Sequence, residues 1–164
     1  MRALFVVLAL AATGAGPELP SADLAGLTAR IEQDRGHPLL ISFWATWCVP
    51  CVQEIPALNG LQEALGPAGA RFLAVSLDRL VYPDPDEARR RVADVVASES
   101  FRLPVLLYAG DPEALSRTYQ VPAGLPHALL LSPDGAVLER VEGQLREGEV
   151  GRLTARIRAA LEGD

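Results

Sequence analysis

Phe43-Trp44-Ala45-Thr46-Trp47-Cys48-Val49-Pro50-Cys51 decides the reading of this 164-residue chain. An apolar run, Leu39-Leu40-Ile41-Ser42-Phe43-Trp44, leads into it, and a helical pattern of Ile55, Leu58, Leu61 and Leu65 follows it. The only two cysteines, Cys48 and Cys51, therefore stand where a buried strand turns into a helix. At i and i+3 of a first helical turn they lie close enough for a disulfide. The free N–H groups of that turn and the helix dipole favour a thiolate at the first sulfur. Cys48 is expected to be the exposed nucleophile, and Cys51, facing the core, the resolving thiol. Pro50 fits, because the first turn of a helix needs no donor from it.

Trp-Cys-x-x-Cys at a strand–helix junction is the redox motif of the thioredoxin fold. The longer run from Phe43 to Cys51, followed by Glu54, Pro56 and Leu58, resembles the TlpA/ResA-like thiol–disulfide oxidoreductases, extracytoplasmic bacterial proteins of that fold. The resemblance covers roughly residues 36–160. It implies an α/β, thioredoxin-like fold: a mixed central sheet with helices on both faces and an inserted helix and short strand, which residues 79–109 fit. It also implies exchange with protein thiols and disulfides, an upstream membrane thiol-electron donor, and no cofactor. Apocytochromes awaiting haem attachment, copper-site cysteines and misoxidised proteins all suit such an enzyme as substrates.

The resemblance further implies a cis-proline packed against the cysteine pair before the last two strands. Pro126 holds that place, and Leu125 before it would offer its backbone to an incoming peptide as a short β-augmentation. Trp47 is expected to shield the disulfide and give the partner a flat apolar rim. Trp44 is expected to be ordinary core packing. Two positions depart from the pattern. Thioredoxins commonly carry an Asp beneath the resolving thiol, and Ser42 matches that place. Serine cannot accept the proton of Cys51 at neutral pH, so either water takes it or another acid reaches in, with Asp78, ending the adjacent strand, and Glu54, in the active-site helix, as the candidates. His127 follows Pro126 where a small residue is usual. It is either a tuning group for the thiolate or a strand-face residue that never meets sulfur.

Composition bounds the rest. With 49% hydrophobic and 22% charged residues, the chain reads as one soluble globular domain acting as a monomer. Its net charge of −6 argues against nucleic acid or an anionic membrane surface as partner. All fifteen basic residues are arginine. Residues 1–16 combine Arg2, the apolar run Ala3–Ala12 and the small residues Thr13-Gly14-Ala15-Gly16, the pattern of a secretory signal peptide. The run is short against the roughly 20 residues of a spanning helix, so cleavage is expected over an uncleaved anchor. A thioredoxin-like domain at 17–164, exported to the periplasm or another extracytoplasmic space, is the expected mature protein. Disulfides persist there. A loop closed by an i, i+3 bridge constrains the unfolded chain very little, so this pair is redox-active and not a stability staple.

In chain order the pattern predicts a helix capped by Ser21 and running to about Arg35, then the strand Leu39–Ala45. A single active-site helix from Cys48 to about Leu65 follows, kinked at Pro56. A second buried strand covers Arg71–Leu77, a polar helix Asp86–Glu99, a short strand Val105–Tyr108, and a helix opened by Asp111-Pro112 runs to Tyr119. The turn Ser132–Gly135 joins strand Ala128–Leu131 to edge strand Ala136–Val141. A last helix spans about Val150–Leu161.

A metal site is the competing function, with Cys48, Cys51 and His127 as a Cys₂His set for zinc or copper; against it stands the missing fourth ligand. Covalent haem is excluded, because Val52 stands where Cys-x-x-Cys-His needs histidine. Between the cysteines, Val49-Pro50 offers neither charge nor side-chain donor to a thiolate, so the pair is expected to act as a reductant.

Overall fold

The computed structural model describes residues 19–121 and 124–163. The expected leader at 1–16 lies outside them. Six strands form one mixed sheet in the order β1 (Ser21–Ala22), β4 (Val105–Tyr108), β3 (Arg71–Ser76), β2 (Leu39–Trp44), β5 (His127–Leu131), β6 (Val137–Glu142). The first four are mutually parallel, and β5 and β6 run antiparallel to their neighbours. The helices are α1 (Leu24–Glu32), α2 (Val49–Gln53), α3 (Ile55–Leu65), α4 (Pro85–Ser98), α5 (Pro112–Tyr119) and α6 (Glu147–Glu162).

The central strands read as continuous apolar runs because helices cover both faces of the sheet. Alternation sorts their residues. Leu40, Trp44, Phe72, Ala74, Ala128 and Leu130 face the core shared with Cys51 and with α3, α4 and α6. Leu39, Ile41, Phe43, Leu73, Val75 and Leu129 face the core under α1 and α5. The predicted insertion appears as α4 followed by β4, which enters the sheet between β1 and β3.

Two expectations need correction. Ser21 does not cap a helix: with Ala22 it pairs with Leu107 and Tyr108. The cap is Asp23, whose carboxylate accepts the Gly26 N–H at 2.9 Å. The active-site helix is not one kinked rod. It breaks at Glu54, which ends α2 and starts α3. Pro56 is the second residue of α3, where its missing N–H costs nothing.

Candidate active site

Strand β2 ends at Trp44, and a tight turn closed by the Cys48 N–H on the Ala45 carbonyl (3.1 Å) delivers the chain into α2. Cys48 is the cap of α2, with extended backbone, and its sulfur accepts the Cys51 N–H at 3.3 Å. A side chain at this place meets the free amides of the first turn. The two cysteines are joined as a disulfide with Cα atoms 5.3 Å apart. Cys51 is 1% exposed and Cys48 only 6%, so the expected exposed nucleophile is mostly covered in the oxidised pair. The open surface belongs instead to its neighbours Trp47, 43% exposed, and Val49. Trp44 packs edge-on against Phe101 in the core.

Beneath the pair, Ser42 lies between Ala74 and Ala128 in the sheet, and its hydroxyl has no partner among the described residues. The two candidate acids differ sharply. Glu54, 2% exposed at the helix break, accepts the Leu145 N–H at 2.8 Å. Burial pushes its carboxyl up to about 7, against the pull of that amide. Asp78 is also buried, but its carboxylate is taken up by the Thr46 N–H (3.1 Å), the Thr46 hydroxyl and the Ser76 hydroxyl (2.7 Å).

The Leu125–Pro126 bond is cis, Pro126 is buried, and Leu125 packs against both cores. Beside the disulfide, Trp47, Leu77, Leu80, Leu115, Val121 and Leu125 line a mostly apolar cavity of about 230 Å³. Trp47, the residue before Cys48, and Leu125, the residue before Pro126, thus share one cavity. His127 does not join them. It pairs across the sheet with Phe43, so its ring lies on the Phe43 face, away from Ser42 and Cys51. The metal reading fails on the same ground: among the described residues no three of His, Cys, Asp and Glu converge.

The fold and the cysteine pair can be set beside known proteins. The model of the AhpC/TSA family matches residues 15–140. The chain belongs to the AhpC/TSA family. It is 30% identical over 132 residues to thiol–disulfide oxidoreductase ResA of Bacillus cereus, covering 79% of this chain and 70% of that one. ResA of Geobacillus kaustophilus is 26% identical over 144 residues, covering 88% and 76%. Among solved structures, the thiol:disulfide interchange protein DsbE of Chlorobium tepidum is 30% identical with a TM-score of 0.63, covering 80% of this chain and 84% of that one. The chain is a thiol–disulfide oxidoreductase of the ResA and DsbE type, and Cys48–Cys51 is its cysteine pair.

Three contributors escaped sequence reasoning. Thr46 looks like an uncharged flank, yet it supplies two of the donors to Asp78. Leu145 acts through its main chain, which no side-chain pattern reveals. Leu80 reads as one apolar residue in a loop, and only the fold brings it to the cavity beside Trp47.

Proposed function

We propose that this oxidoreductase works as a disulfide reductase on proteins outside the cytosol. The observation that carries the direction is how little stabilises the Cys48 thiolate. Val49 and Pro50 bring no charge or side-chain donor, and α2 is only five residues long before it breaks at Glu54. The helix terminus is then the one source of stabilisation for the thiolate among these groups, and such a terminus gives a moderate shift. A weakly stabilised thiolate means a reduced form that gives up its electrons readily.

In the reaction the Cys48 thiolate attacks one sulfur of a substrate disulfide. The Cys48–substrate S–S bond forms, the substrate S–S bond breaks, and the second substrate sulfur leaves and takes up a proton. Cys51 then loses its proton to the Glu54 carboxylate and attacks the Cys48 sulfur. The mixed disulfide breaks, the first substrate sulfur leaves, and Cys48–Cys51 closes. The substrate gains two electrons and the enzyme loses them. A membrane thiol donor upstream, by thiol–disulfide exchange, returns the pair to its reduced state. Trp47, Leu125 and Pro126 form the rim on which the substrate chain lies. Substrates with a solvent-reachable cysteine pair, such as an apocytochrome or a copper-site protein, suit this surface.

The leader at 1–16 is removed on export, leaving residues 17–164 as one domain that acts as a monomer. No helix among the described residues is long and apolar enough to cross a membrane. Equilibration against a glutathione or dithiothreitol couple tests the direction. A potential near thioredoxin's, about −270 mV, is expected, and one at or above about −150 mV would make the protein an oxidant. Cys51→Ser should accumulate mixed disulfides with its substrates, while Cys48→Ser forms none.

A further inference from the structure

Asp78 is a buried carboxylate that forms no salt bridge among the described residues. Burying such a group is costly unless hydrogen bonds replace its water. Here the donors are neutral: the Thr46 N–H, the Thr46 hydroxyl and the Ser76 hydroxyl. Thr46 lies two residues before Cys48, inside the turn that presents the sulfur.

The other end of this contact is held firmly. The Leu77 N–H donates to the Trp44 carbonyl at 2.8 Å, joining the end of β3 to the end of β2. The Val81 and Tyr82 N–H groups donate to the Asp78 carbonyl at 3.0 and 2.8 Å, and the Asp78 N–H donates to the Ser76 hydroxyl at 3.2 Å. Leu77 and Leu80, on either side of this post, line the cavity beside Trp47. One rigid post therefore carries both the anchor of the Cys48 turn and part of the surface a substrate would meet.

We infer that Asp78 is a positioning residue of the exchange: through Thr46 it fixes the turn that holds the Cys48 sulfur against the α2 amides and beside the apolar cavity. The inference rests on the exchange at Cys48 described above. It gives Asp78 a role as hydrogen-bond acceptor for the turn, distinct from that of a proton acceptor for Cys51. What the turn needs from Asp78 is an oxygen, not a charge. An asparagine supplies that oxygen, and the hydroxyl that faces its NH2 can rotate to accept from it while the other still donates to the oxygen.

The test is the rate at which the reduced full-length protein attacks a small disulfide, read together with thiolate titration of Cys48 by absorbance. Thr46→Val removes the hydroxyl and leaves the charge. It is expected to slow the attack by about fivefold, the rate equivalent of one hydrogen bond, and to raise the Cys48 titration midpoint. Asp78→Ala should slow it at least as much, and Thr46→Val added to Asp78→Ala should cost no more than Asp78→Ala alone, since coupled groups are not additive. Asp78→Asn should stay within about twofold of the parent. If Asp78→Ala does not fold, Thr46→Val and Asp78→Asn decide between them. The inference is overturned if Thr46→Val attacks and titrates like the parent, or if Asp78→Asn is slowed as much as a proton acceptor's loss would require. An inactive parent protein would instead sink the exchange reading itself.

Discussion

Among the described residues, Glu54 is the carboxyl that burial raises above its ordinary range. Its carboxyl sits at about 7 when folded and 4.5 in its ordinary state, because burial disfavours the charge more than the Leu145 amide favours it. Between those values the folded chain holds a proton that the unfolded chain has lost. Stability is therefore highest below pH 4.5 for this group and falls as pH rises through 7. The full difference is about 3 kcal/mol. Glu54→Gln keeps an acceptor for the Leu145 N–H and abolishes this slope, which urea unfolding at pH 5 and pH 8 would show. The same residue shapes catalysis. In the exchange proposed above Glu54 accepts the Cys51 proton and must be ionised to do so; on that proposal, resolution of the mixed disulfide should speed up through pH 7 in the parent and lose that inflection in Glu54→Gln, measured by stopped-flow on a preformed adduct. A Glu54→Gln enzyme that keeps the inflection would assign the proton to water.

At the scale of elements, the helix starts show what a sequence carries and what it hides. Asp111-Pro112 announces α5, and Asp84-Pro85 supplies α4 with a carboxylate on the Glu87 N–H at 2.7 Å; both starts are local chemistry and legible. The junction of β2 with α2 is legible for the same reason, since an apolar run meeting Cys-x-x-Cys leaves few alternatives. Strand β1 is not: two residues have no periodicity, and they become a strand only because the Leu107 N–H reaches Pro20 and the Ala109 N–H reaches Ala22. Such pairing is non-local. So is the bond between Thr46 and Asp78, thirty-two positions apart, and that between Leu145 and Glu54. The break of the active-site helix at Glu54 is half visible: Pro56 signals a departure, but the interruption itself falls two residues earlier. The reassigned cap gives a direct check. Asp23→Ala should cost about 1 kcal/mol in thermal or urea unfolding, as loss of a helix cap does, whereas Ser21→Ala should change little. A larger loss at Ser21 would restore the capping role to that residue.

For the molecule as a whole, the two faces of the sheet hold ionisable groups that respond to pH in opposite directions. Glu54 belongs to the face that carries the disulfide. His127 lies on the other, paired with Phe43, 1% exposed, with neither ring nitrogen bonded among the described residues. Burial holds its pKa below the usual 6.5, against the pull of Glu142 and with a further push from Arg140. Below pH 6.5 the unfolded chain takes up a proton that the buried imidazole does not, so the fold is free of this penalty above pH 6.5 and loses stability as pH falls. Glu54 gains over much of the same interval as pH falls from 7 towards 4.5. Between pH 5 and 7 the two groups therefore push the parent protein's stability in opposite directions. Replacing one group exposes the other. In His127→Leu, stability should climb as pH drops from 7 to 5. It should also rise by about 1 kcal/mol at neutral pH, because an unsatisfied buried polar ring gives way to an apolar one. In Glu54→Gln it should fall over the same range, and the double variant should show neither of these two slopes. Since the sheet separates His127 from the sulfurs, His127→Leu should leave the Cys48 thiolate titration where it was. A shift there would mean that the imidazole acts on the thiolate through the sheet, and that the division of this molecule into a redox face and a structural face is wrong.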